Sequence, residues 1–278
     1  MSGNEMSEDK ILEGEDAPPP AKATESASPT APVPADLLRT VSDPALTEDL
    51  ALALLKRADL PAEVLEQLAK NPSALKSRKV KIALASHPHT PRHVSVPLAR
   101  QFYTFDLMRV ALSPTAPADV KVAVDDVLIS RLESVTVGER LTLARRASGR
   151  VAAALLLKVE VTGGEIIDAK TVARETRVMQ AALENPRLTE GLVINSALRP
   201  GASAALVHAV ARHVKWSLRR EIRAALLRTE HLSLARALEF SQEIPAPLLP
   251  ELLASSRLPE KIKDQLLRQR AVRVPPPS

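Results

Sequence analysis

Two groups of side chains in this sequence are spaced for chemistry. The first is His87-Pro-His89-Thr-Pro-Arg-His93, three imidazoles within seven residues, a density that suits a transition metal. No nearby carboxylate or cysteine completes a ligand set, the prolines fix the backbone without convergence, and Arg92 adds repulsive charge. The histidines therefore read as turn and capping residues between helices. His208 and His213, five apart, share a helical face less well than the i,i+4 pair of a helical zinc site. No metal and no cofactor is expected.

The second group is Arg212, Lys215, Trp216, Arg219, Arg220 and Arg223. On a continuous helix, positions 212, 216, 219, 220 and 223 form one broad stripe, with the single tryptophan of the chain among cations. A stripe of this kind grips phosphates while the indole stacks on a base or on a partner, which makes these six residues the candidate partner-binding set. The opposing reading has Trp216 as a capping or inter-repeat packing residue and the arginines as solvated. Smaller basic sets, Arg145, Arg146 and Arg150, and Lys76, Arg78, Lys79 and Lys81, add to the positive surface. GxSxG, GxGxxG, the Walker phosphate loop and HExxH are all absent, and no catalytic residue is assigned.

Composition bounds the fold that must position these groups. Of the 278 residues, 45% are hydrophobic but only 2% aromatic, so the interior is built from Leu, Val, Ile and Ala, which suits helices packed at close range. Nothing reads as a sheet. The chain has no cysteine, which excludes disulfides and thiolate-held metals and permits a reducing cytoplasm. The start, MSGNEMSEDK, lacks the basic and apolar regions of a signal peptide. With no apolar run near the 18 residues or so of a membrane span, a soluble, cytoplasmic protein with no membrane partner is expected.

Charge is unevenly spread. Residues 1–36 carry eight carboxylates against two lysines, a net of −6, which leaves +11 on the rest of a chain whose total is +5. This first segment is rich in Pro, Ala, Ser, Thr and Glu and offers too little apolar surface to offset the entropy of ordering. It is expected to be a disordered tail, either solubilising or competing with an anionic partner.

From residue 37 to 271 the pattern is helical and repetitive. IALASHPHTPRHV (residues 82–94) returns as VALSPTAPADV (residues 110–120), so that Pro88 and Pro91 become Pro114 and Pro117 after 26 residues. Recurrence of this kind means one supersecondary unit used repeatedly. The unit is two short helices joined by a proline turn. First helices are expected to be capped by Ser77, Thr104, Thr176 and Ser217, with Thr47 capping an earlier helix and Thr136 and Glu139 forming a capping box. Second helices are expected to start near Pro61, Pro91, Pro117, Gly149, Thr189, Ser233 and Pro259. Pro97 should leave its helix short, kinked or partly 3₁₀. Residues 161–165, with the only adjacent glycine pair, mark a loop insertion, a hinge or the junction of two half-solenoids, and a break at residues 199–203 leaves an extra helix, AALVHAVARH. About fourteen or fifteen helices are expected, with residues 272–278 as a frayed end.

These phrases, together with ALENPRLTEGLV and its Asn185-Pro186, resemble the leucine-rich-repeat variant, a HEAT-like family, over about residues 47–270. The resemblance implies an all-α fold, a right-handed α-solenoid of stacked short helix pairs, and no activity of its own. One member type holds a cysteine-ligated iron–sulfur cluster, which a cysteine-free chain cannot do. The expected function is a non-enzymatic scaffold or adaptor that binds a protein partner on its helical-repeat surface. The alternative is a nucleic-acid-binding solenoid that contacts phosphates through its basic surface, with the acidic tail as competitor. An enzyme of the HEAT-like glycosylase kind calls for an aromatic, acid-bearing cleft, and five aromatic residues furnish little of one.

Overall fold

The computed structural model describes residues 35–157 and 169–273. The expected tail up to residue 34, the candidate junction at residues 161–165 and residues 274–278 lie outside the described residues. Among the described residues every regular element is helical and no strand is present. Before residue 158 run α1 (Ala35–Ser42), α2 (Glu48–Leu55), α3 (Ala62–Lys70), a 3₁₀ turn (Ala74–Lys76), α4 (Arg78–Ala85), α5 (Arg92–Ala99), α6 (Thr104–Ala111), α7 (Ala118–Arg131), α8 (Val137–Arg146) and α9 (Gly149–Leu157). After residue 168 run α10 (Ala169–Leu183), α11 (Glu190–Leu198), α12 (Ala204–Arg212), α13 (Arg220–Leu226), α14 (Leu234–Ser241), α15 (Leu248–Ala254) and α16 (Glu260–Arg273). The helical body thus starts two residues before the expected boundary and reaches two beyond it.

Most of these helices have seven to ten residues, too few to persist alone in water. Local signals set where they begin, and packing keeps them folded. Thr47 and Ser77 each accept a backbone N–H from the first turn of α2 and α4, and Thr136 and Glu139 form the reciprocal capping box of α8. Pro61, Pro91 and Pro117 hold the extended backbone that precedes α3, α5 and α7. α5 has eight residues, with Pro97 inside. Three expected caps are corrected. Tyr103, not Thr104, is the residue before α6, and Arg219, not Ser217, precedes α13. Thr176 lies inside α10 and returns its hydroxyl to the Val172 carbonyl at 2.8 Å, the bond by which a threonine is accommodated within a helix.

Beyond contact between successive helices, packing follows one rule. Helices touch the next-but-one element along the chain, α1 with α3, α2 with α4, α4 with α6, α5 with α7, α7 with α9, α8 with α10, α9 with α11, α10 with α12, α11 with α13 and α14 with α16. A single cluster of buried Leu, Val, Ile and Ala extends from Val41 to Leu266, with Phe102, Trp216 and Phe240 as its aromatic members.

The same rule governs the helix ends. The last carbonyls of a helix have no partner within it, and here a side chain from near the end of the next-but-one helix supplies the donor. Asn71 donates from after α3 to Val41 and Asp43 at 2.8 Å each, His87 from after α4 to Arg57 at 2.8 Å, and Thr115 from after α6 to Ser86 at 2.8 Å. Arg131 of α7 reaches Phe102 at 2.7 Å and Asn185 after α10 reaches Ala144 and Ala147 at 2.8 and 3.1 Å. Ser256 after α15 donates to Leu227 at 2.6 Å, and Arg270 of α16 to Ile244 at 2.9 Å. Where the donor is an arginine, its charge also opposes the negative end of the helix dipole.

Candidate functional site

The structure divides the six residues singled out by sequence. The helix is not continuous: α12 stops at Arg212, residues 213–219 turn, and α13 starts at Arg220. Trp216 is 2% exposed and its indole N–H donates to the Leu183 carbonyl, at the end of α10, at 2.8 Å. The base-stacking role is therefore corrected: Trp216 is a packing and end-capping residue. Arg223 is also buried, with its guanidinium bonded to the Ser217 carbonyl, paired with Glu243 and 5.2 Å over the Phe240 ring. Lys215 lies 4.0 Å over the outer face of the indole. Arg212, Arg219 and Arg220 are exposed and have no carboxylate partner among the described residues.

The histidine cluster is structural too. His87 is 3% exposed; its Nδ1 accepts the His89 N–H at 3.2 Å, so Nε2 carries the proton that it donates to Arg57. This neutral tautomer is enforced by burial, which pushes the imidazole below its ordinary value against the opposing pull of the Arg57 carbonyl. His89 Nδ1 is engaged by the Leu60 carbonyl at 2.9 Å, and His93 faces Glu66. Among the described residues no group of three ligating side chains is placed to hold a metal.

One buried carboxyl stands apart. Asp125 of α7 accepts the Ser148 hydroxyl at 2.8 Å through one oxygen, while the other has no partner. Burial pushes its titration upward. Such groups often mark functional sites, but Asp125 lines none of the depressions described next.

Three depressions lie between next-but-one helices: one bounded by α4, α6 and α8, one by α10 and α12, one by α13 and α15. The first, about 830 Å³, has the composition of a binding groove. Its floor is apolar, from Ile82 of α4 with Phe105, Met108 and Leu112 on or just after α6. Its rim carries Arg109 of α6 and Arg146 of α8, both exposed and without a carboxylate partner among the described residues. Phe105 is 41% exposed, a large apolar side chain left open to solvent. Apolar floors with a few placed polar groups are the general form of a recognition site.

This groove was missed by sequence reasoning, although α6 holds its signal. Leu107, Val110 and Ala111 face the core. Phe105, Met108, Arg109 and Leu112 fall at i, i+3, i+4 and i+7, a second stripe on the opposite side. A helix apolar on two faces needs a second cover. Comparison of the chain with protein-family models, with curated proteins and with solved structures finds no match.

Proposed function

We propose that this chain is a non-enzymatic scaffold that binds a protein partner, and that the groove between α4, α6 and α8 is a principal contact. The observation that carries the reading is the open apolar floor of Phe105, Met108 and Leu112 between two arginines that have no carboxylate partner among the described residues. A partner segment that fits it has one or two bulky apolar side chains flanked by carboxylates. The reading takes the helices as a right-handed, HEAT-like α-solenoid of the leucine-rich-repeat-variant kind in a cytoplasmic protein. Support comes from the next-but-one packing and the recurring end clamps, which propagate one unit along the chain as stacked repeats do. Among the described residues no helix is long and apolar enough to cross a membrane.

Affinity purification from native lysate with the intact chain and with Phe105→Asp, each with and without nuclease, tests the reading. A stoichiometric protein that survives nuclease and is lost with Phe105→Asp is expected. Equal recovery by both baits removes the groove from the proposal.

One observation favours the second reading, a nucleic-acid-binding solenoid: Arg212, Arg219 and Arg220 stay exposed without carboxylate partners among the described residues. It predicts binding that falls steeply as salt rises, through counterion release. Undetectable binding to duplex or single strand at low salt ends it.

A further inference from the structure

We infer that the groove between α4, α6 and α8 is occupied in cis by an acidic-apolar segment of the chain's own N-terminus, residues 8–16. The inference rests on the groove being a binding site and names an occupant that the chain itself carries. Three observations select this segment. The groove asks for bulky apolar side chains between carboxylates, because its floor is Ile82, Phe105, Met108 and Leu112 and its rim is Arg109 and Arg146. Residues 8–16 read EDKILEGED, in which Ile11 and Leu12 are adjacent and Glu8, Asp9, Glu13, Glu15 and Asp16 surround them. Elsewhere in residues 1–34, the large apolar side chains are Met1, Met6 and Val33, none of them paired.

Reach is sufficient. From Ala35, where α1 begins, back to Leu12 is 23 residues, which span at most about 80 Å. The row from α2 through α4 to α6 advances by roughly 8–10 Å per packed helix, so the floor of the groove on α6 lies about 16–20 Å from α2, well inside that reach. The segment is covalently tied to its site, so even weak contacts act at the high effective concentration of a linked ligand. An external partner must then displace it.

The absence of cysteine makes the test direct. Spin labels are attached to the full chain at Ser7→Cys and at Arg145→Cys, on the exposed side of α8, and the distance distribution between them is measured by pulsed electron spin resonance. A short, narrow population is expected. It is lost with Ile11→Asp/Leu12→Asp and with Arg109→Glu/Arg146→Glu, while circular dichroism confirms that each variant keeps its helices. A broad distribution insensitive to all four substitutions overturns the inference. So does loss of the short population on dilution with unlabelled chain, which identifies a second copy as the occupant. Partner capture by Ile11→Asp/Leu12→Asp, whose groove is intact, separates the two readings. Unchanged labels with capture still lost in Phe105→Asp ends the cis occupant and leaves the scaffold standing.

Discussion

The Trp216 indole N–H donates to the Leu183 carbonyl across 2.8 Å, joining the turn after α12 to the end of α10. This is the bond that asparagine makes elsewhere: Asn185 reaches Ala144 and Ala147, and Asn71 reaches Val41 and Asp43. In the Trp216 unit the work is split. His213 Nδ1 accepts the Lys215 N–H at 3.2 Å, as Asn185 Oδ1 accepts that of Arg187 at 2.8 Å, and the indole three residues after His213 supplies the donor.

Trp216→Phe keeps an aromatic ring and removes that donor. The Leu183 carbonyl is left buried and unpaired, so a loss of about 1–3 kcal/mol is expected. Trp216→Ala removes the packing as well and should cost about 3–5 kcal/mol. Urea denaturation followed by circular dichroism reads both, and a Trp216→Phe midpoint equal to wild type would deny the clamp any energetic weight.

Gly149 opens α9 where the loop after α10 crosses it. A Cβ there would stand 2.3 Å from the Arg187 carbonyl oxygen and 3.1 Å from Leu192 Cδ1, so either the backbone of the loop or α9 must move. Gly149→Ala is expected to destabilise by about 1–3 kcal/mol. Gly191, inside α11, has nothing within 4 Å of such a Cβ, and Gly191→Ala should stabilise by roughly 0.4–1 kcal/mol. Thermal melts of the two variants should shift in opposite directions; shifts of one sign would mean that space is not what decides at these sites.

His87 makes stability depend on pH. Its folded titration lies below the ordinary imidazole value because it is buried, and so does that of His213. The unfolded chain therefore binds more protons as pH drops, and stability rises with pH wherever that holds. The histidine contribution is complete above the ordinary value near 6.5, and falls progressively as pH decreases below it. His87→Asn keeps an acceptor for the His89 N–H and cannot take up the proton. It should flatten the slope of stability between pH 7 and 5 while leaving stability at pH 7.5 within about 1 kcal/mol of wild type, because an asparagine amide donates to the facing helix end here as Asn71 and Asn185 do at theirs. An unaltered slope in this variant would assign the pH dependence to other groups.

The repeat unit was legible because its signals are local. Pro61, Pro91, Pro117, Gly149, Thr189, Ser233 and Pro259 all stand at or within one residue of a helix start, since proline before a first turn and a hydroxyl at its cap act within a few residues. The break at residues 213–219 was not legible. HVKWSLR contains neither proline nor glycine, and three- and four-residue spacing runs through it unbroken. What ends α12 is a side-chain to backbone bond from His213, a turn device in which imidazole replaces the more familiar asparagine. With that turn, the stripe of six residues separates into buried Trp216 and Arg223 and an exposed remainder. The groove was hidden for another reason: Ile82 and Arg146 line one depression although 64 positions apart in sequence, and only the packing of α4, α6 and α8 brings them to it.

The two faces of α6 should respond differently to substitution. Leu107 and Val110 are fully buried, and Leu107→Ala is expected to cost about 2–5 kcal/mol of stability. Phe105 is 41% exposed and lies outside the buried core cluster. Phe105→Asp, or Arg109→Glu with Arg146→Glu, should change stability by no more than about 0.5 kcal/mol, as surface substitutions do, yet reduce partner capture at least tenfold, the size of one lost anchor contact of ~1.4 kcal/mol. The charge reversals should act chiefly on the association rate and lose their effect at high salt, whereas the loss from Phe105→Asp should persist there. Surface plasmon resonance at two ionic strengths separates these effects. If capture by Phe105→Asp recovers when salt is raised, the aromatic side chain is not an anchor and the groove works by charge alone.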